Sequence, residues 1–210
     1  MSRFRAVAWD IDGTLIDSEA LHQRALVQSS AAFGVDLSDL PDEAFRGFHM
    51  HDVWKTLQPR FPKEVEQSAW LADIERRYVS QAGELLLSPG AIETVRALAE
   101  RGIAQACVSN SARAVVDANL DALGIRDMIA FSISLNDVSK GKPDPEPFRE
   151  ATRRFGLPPA SVVAIEDGAA GAQSAKMAGL FVVGYAPSGA ALDCDLLIAS
   201  LPELLTLFDD

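Results

Sequence analysis

The sequence predicts an α/β fold: a doubly wound, Rossmann-like parallel sheet with an inserted α-helical cap domain. Three observations predict it. Short apolar runs alternate with stretches of helical period after residue 88, residues 17–88 carry helical pattern with no strand, and polar residues stand where the apolar runs stop.

The first run, Phe4 to Trp9, ends abruptly at Asp10-Ile11-Asp12-Gly13-Thr14, as a buried strand running into a turn would. Comparable runs recur at Ile103 to Val108, Ile129 to Ile133, Val162 to Ile165 and Phe181 to Val183, with a weaker one at Leu196 to Ile198. Between them, apolar residues spaced three or four apart predict helices over Gly90 to Arg101, Ser111 to Leu123, Pro145 to Phe155 and Ala169 to Ala178. The insert reads as helices over Glu19 to Phe33, Asp42 to Phe48, His51 to Leu57 and Lys63 to Gln81. Asp17-Ser18 and Ser88-Pro89-Gly90 mark its edges, so the core is expected at 1–16 and 89–210 and the cap at 17–88.

Composition narrows the function. Lys and Arg number 19 against 30 Asp and Glu, a net charge of −11, which is the wrong sign for a nucleic-acid partner. An anionic substrate would need local cations or a metal to reverse that field. Cys107 and Cys194 have no metal-type spacing, and no run approaches a membrane span or a signal peptide. These features predict a cytoplasmic monomer or weak homo-oligomer that binds neither membrane nor nucleic acid.

The carboxyl ends of parallel strands converge on one crevice. That places Asp10 and Asp12, Ser109 and Asn110, Lys142, and Glu166 with Asp167 within reach of one another. Four carboxylates gathered together require protons or a hard cation, and Mg2+ is the natural candidate beside a phosphate. Lys142 and the metal would cancel the negative field for a phosphoryl group, while the Ser109 hydroxyl orients it. One carboxylate then serves as nucleophile and a second as acid and base, roles that Asp10 and Asp12 divide between them. Each piece has a plainer reading. Asp-x-Asp-Gly also occurs in turns and calcium loops, Ser109 could cap the next helix, Lys142 could be a solvated loop charge, and Glu166-Asp167 could complement a helix dipole.

Four stretches together resemble the haloacid dehalogenase superfamily of phosphohydrolases, in its branch with a helical cap: Asp10 to Glu19, Val108-Ser109-Asn110, Gly141 to Pro145, and Ile165 to Gly171. The resemblance implies Asp10 as nucleophile, Asp12 as acid–base, and Ser109 and Lys142 as phosphate ligands, with Asn110 as a further phosphate-binding candidate. It implies magnesium held by Asp167, the Asp10 side chain and the Asp12 backbone carbonyl, with Glu166 as a further carboxylate. Lys140 is a competitor for the lysine role, but Pro143 follows Lys142 as the pattern expects. Asp12 argues for phosphate chemistry, because true dehalogenases lack this second aspartate.

The expected activity is magnesium-dependent hydrolysis of a small phosphorylated metabolite, similar to that of sugar-phosphate phosphatases. A β-phosphoglucomutase-type isomerase is the alternative, and a phospho-accepting signalling module is a third reading. In the cap, His22, Arg46 and His49 are substrate-contact candidates, whereas Trp54 and Trp70 read as core. His49 and His51 do not share a helix face, and they lack further ligands nearby for zinc.

Overall fold

A computed structural model describes residues 3–41, 44–45 and 50–209. The chain divides into two compact units, Met1–Asp17 with Leu86–Asp210, and Ser18–Leu85.

The first unit is built on six parallel strands: β1 (Ala6–Trp9), β4 (Ala104–Val108), β5 (Phe131–Ile133), β6 (Val162–Glu166), β7 (Phe181–Tyr185) and β8 (Leu196–Ile198). They lie in the order β5-β4-β1-β6-β7-β8. The chain winds outward from β1 in both directions, so β1 is the switch point where the crevice of such a sheet opens. β1 is buried along its whole length, which is why it reads as a continuous apolar run instead of an alternating one.

Helices cover both faces. Ala6 and Ala8 face Phe148 and Ala151 of α6 (Glu146–Phe155) and Ala172 and Ala175 of α7 (Ala169–Ala178). Alternation along the strand turns Trp9 to the opposite face. There its Nε1 donates to Gln105 Oε1 at 3.0 Å, and Gln105 Nε2 donates to the Val95 carbonyl of α4 (Ala91–Glu100) at 2.9 Å. A buried glutamine with both ends bonded thus ties α4 to the central strand.

Short elements differ from the sequence expectation. A two-residue antiparallel pair, β2 (Ile16–Asp17) and β3 (Leu86–Leu87), joins the edges of the insert. Strands this short have no period to read. A 3-10 helix, Leu201–Phe208, follows β8 behind a capping box of Ser200 and Glu203.

The second unit holds α1 (Glu19–Ala32), α2 (Met50–Leu57) and α3 (Gln67–Gln81). The helix expected from Lys63 begins only at Gln67, and the one expected over Asp42 to Phe48 falls outside the described residues except for a turn at Ala44 and Phe45. Trp54, Phe61 and Trp70 form a buried aromatic cluster with centroids 4.9 to 5.6 Å apart. The Trp70 indole N–H donates to Ser30 Oγ at 3.2 Å, so its one polar atom is satisfied inside the core. Among the described residues, no helix is long and apolar enough to cross a membrane.

Candidate active site

Strand register gathers the site. Trp9 pairs with Cys107 on one side and Ile165 on the other, so Asp10, Val108 and Glu166 stand level one step further on. Adjacent strands lie about 4.8 Å apart, within reach of one long side chain. Lys142 supplies it. Its Nζ donates to Asp10 Oδ1 and to the Val108 carbonyl, each at 2.7 Å, and lies 2.6 Å from Glu166 Oε1. Asp10, Lys142 and Glu166 are 7%, 4% and 2% exposed, so water does little to screen these charges.

The turn after β1 directs the remaining groups. The N–H groups of Thr14, Leu15 and Ile16 all donate to the Ile11 carbonyl, while Gly13 adopts φ 89, a left-handed conformation natural to glycine. A Cβ at Gly13 would run into the Asp167 carboxylate, so the turn and the second acid group fit together only without a side chain there. Thr14 Oγ1 donates to Asp10 Oδ2 at 3.1 Å, and both oxygens of Asp10 are therefore held.

Asp12 turns elsewhere. Its Oδ2 accepts Ser109 Oγ at 3.2 Å and Ser111 Oγ at 2.9 Å, and its Oδ1 accepts Asn119 Nδ2 at 3.2 Å. Ser109 Oγ also accepts the Ser111 N–H at 3.0 Å. Ser109 does not cap the following helix, α5 (Arg113–Leu123), whose N-cap is Ala112 without a side-chain bond. Asn110 accepts the Lys142 N–H at 2.8 Å and donates to the Lys142 carbonyl at 2.9 Å. Its amide braces the loop that carries the lysine. Lys140, by contrast, is exposed and pairs with Asp144.

Among the described residues, Asp10, Glu166 and Asp167 bring carboxylate oxygens within 4.8 Å of one another. Burial raises the Asp10 carboxyl against the pull of Lys142, and it raises Glu166 well above the usual range in the same way. Asp167 is exposed as a residue, but its carboxyl faces inward over Gly13. Burial of that carboxyl and the Asp10 charge push it up to about 7. Burial works against the Lys142 ammonium, yet Asp10 and Glu166 outweigh it and hold its pKa above the usual lysine range. Glu166 Oε1 is buried and accepts no hydrogen bond of good geometry, leaving the Lys142 ion pair to compensate it. One ammonium among these carboxylates leaves a deficit of positive charge. The hard oxygen donors fit a small divalent cation.

An open crevice of about 220 Å³ lies beside Asp167, lined by Gly13, Tyr185, Ala186, Ser188 and Leu192 among others. It is smaller than the ~300 Å³ at which pockets for whole small molecules begin.

A family model for haloacid dehalogenase-like hydrolases matches residues 4–179. The chain belongs to this family. A phosphoglycolate phosphatase from Cupriavidus necator is 31% identical over 96% of this chain and 93% of its own. A validoxylamine A 7'-phosphate phosphatase from Streptomyces hygroscopicus is 27% identical over 96% of each. The solved structure of a CbbY variant from Rhodobacter sphaeroides, in complex with xylulose-(1,5)bisphosphate, superposes with a TM-score of 0.87. It is 26% identical and covers 99% of this chain and 100% of that one.

Of the sequence candidates, the structure brings Asp10, Asp12, Ser109, Asn110, Lys142, Glu166 and Asp167 together through hydrogen bonds, ion pairs and the carboxylate cluster at the ends of β1, β4 and β6. The Asp12 carboxylate points away from the three-carboxylate cluster. His22 stacks on the buried Tyr78 ring at 4.4 Å within the helical unit, and His51 bonds Gln67 at 2.9 Å. Arg46 and His49 lie outside the described residues. Sequence reasoning missed Thr14, Ser111 and Asn119. Asn119 had a signal, being a polar residue inside the apolar stripe of α5.

Gly171 gives one test of this packing. A Cβ there would collide with the Glu166 carboxylate. Gly→Ala inside a helix ordinarily stabilises by about 1 kcal/mol. Gly171→Ala is expected instead to cost about 1–3 kcal/mol through overpacking and to displace Glu166. Thermal unfolding measures it, and a raised melting temperature would contradict the contact.

Proposed function

We propose that the chain hydrolyses a small phosphate monoester, a sugar phosphate or a phosphorylated sugar acid, in the cytoplasm, through an aspartyl-phosphate on Asp10. The observation that carries this reading is the Asp10 carboxylate, fixed through both oxygens by Lys142 and Thr14 at the β1 switch point beside Glu166 and Asp167. The phosphatases among its relatives support the same chemistry.

Asp10, Glu166 and Asp167 would hold magnesium, with the Asp12 backbone carbonyl as the further ligand that the family resemblance implies. Bound there, the ion would supply positive charge to offset that of the phosphoryl group. Lys142 and Ser109 bind and orient the phosphoryl group, and Asn110 keeps the lysine loop in place. A carboxylate oxygen of Asp10 attacks phosphorus as the ester bond breaks, and Asp12 gives its proton to the departing oxygen. Asp12 then takes a proton from water, whose oxygen attacks phosphorus and returns Asp10 to its free carboxylate with release of phosphate.

The test is phosphate release from a panel of sugar phosphates, phosphoglycolate, phosphogluconate and nucleotides, with β-glucose 1-phosphate included. Hydrolysis supports the reading. Conversion of β-glucose 1-phosphate to glucose 6-phosphate would favour the isomerase, and a stable phosphoprotein without turnover would favour the signalling module. Chelation by EDTA is expected to silence the activity and magnesium to restore it.

The same cluster sets a pH dependence. A proton on Asp167 competes with the cation, and its pKa stands at about 7. Magnesium affinity should therefore rise as pH increases from about 6 to about 8, with proton release on binding. Calorimetric titration in buffers of different ionisation heat reads both, and an affinity flat across that range would contradict the assignment.

A further inference from the structure

Asn119 places an amide where α5 otherwise buries Val115, Val116, Leu120 and Leu123. It is fully buried, a position that costs free energy unless the amide is bonded. Its Nδ2 reaches Asp12 Oδ1, on a turn 107 residues earlier in the chain. Ser111 and Ser109 hold the other oxygen of Asp12. Of these three donors, Ser109 is the one assigned above to the incoming phosphoryl group. Once that group takes the Ser109 hydroxyl, Ser111 and Asn119 still hold Asp12, one on each oxygen. Two donors on opposite oxygens fix the plane of a carboxyl group, which a single donor leaves free to turn.

We infer that Asn119 is a positioning residue for Asp12, with Ser111 as its counterpart, so that the acid–base is aimed from α5 as well as by its own turn. The inference rests on the acid–base reading of Asp12 given above. A poorly aimed acid slows loss of a poor leaving group much more than loss of a good one, because a good one departs without a proton. The rate constant kcat/KM isolates this first half of the reaction, before water attacks.

Asn119→Leu keeps most of the volume and removes the donor, and Asn119→Asp keeps the shape but presents an acceptor. Each is compared with wild type on a sugar phosphate, whose leaving group is an alkoxide, and on p-nitrophenyl phosphate, with magnesium present and unfolding midpoints recorded. The expected result is a loss of kcat/KM of about tenfold or more on the sugar phosphate and less than about threefold on the aryl ester. Ser111→Ala, at a less buried position, should shift the ratio in the same direction and decides the matter if the Asn119 variants do not fold. Equal losses on both esters, or no loss, would overturn the inference while leaving the functional reading intact. A wild-type chain that cleaves neither ester would overturn that reading, and this inference with it.

Discussion

Asp10→Asn is expected to abolish turnover, by at least ~10⁴-fold, while the protein remains folded. An amide cannot supply the anionic oxygen that forms the bond to phosphorus. The fold should tolerate the change because burial, and further Asp12, disfavour the charged form of Asp10 even against the pull of Lys142. Removing that charge leaves Lys142 with Glu166 and the Val108 carbonyl. The melting temperature of the metal-free variant is therefore expected to match or exceed that of wild type. Phosphate release together with circular dichroism separates the two effects. Full activity in this variant would remove Asp10 from the chemistry.

Lys142→Met has the largest expected effect on stability. The methionine fills much of the same volume, but Asp10 and Glu166 lose the ammonium that both share. Breaking a buried ion pair from one side costs about 3–5 kcal/mol, because the remaining charge is left uncompensated. The loss should depend on pH. Without Lys142, both carboxyls have pKa values raised above those of the unfolded chain, about 3.9 for Asp and 4.3 for Glu. A group of that kind is neutral and tolerated below its unfolded pKa, and stability is lost as pH rises through its folded pKa. Destabilisation relative to wild type is thus expected to be small near pH 4 and to grow toward neutrality. Activity should fall by about 10²–10³-fold, the usual cost of removing one donor that stabilises transition-state charge. Denaturant melts at several pH values check the sign, and a loss independent of pH would mean that packing alone is responsible.

The strand ends that compose the site were legible because buried parallel strands read as unbroken apolar runs, so each polar residue after one announces the edge of the sheet. Asp10, Ser109, Glu166 and Asp167 could be located in this way. Lys142 projects from the loop beyond the Ile133 run, and only the motif around it sets it apart from Lys140. Other parts were not legible for definite physical reasons. β2 and β3 are two residues each, and no hydrophobic period exists at that length. Ser109 taken alone suits a helix cap better than a phosphate ligand, and only three-dimensional geometry shows its hydroxyl turned to Asp12. Asn110 has the chemistry of a phosphate ligand, yet its amide is engaged with the Lys142 backbone. Asn119 lies on a helix whose pattern accounts for burial but not for the partner that its amide meets.

The most direct test of the account is the covalent state of Asp10 during turnover. Wild-type protein with magnesium, mixed with substrate and quenched in acid within the first turnover, should carry one phosphoryl group on the peptide containing Asp10. That group should be labile to hydroxylamine, as an acyl phosphate is, and absent in Asp10→Asn. Rapid phosphate release with no phosphorylated peptide at any quench time would mean that water attacks the substrate directly.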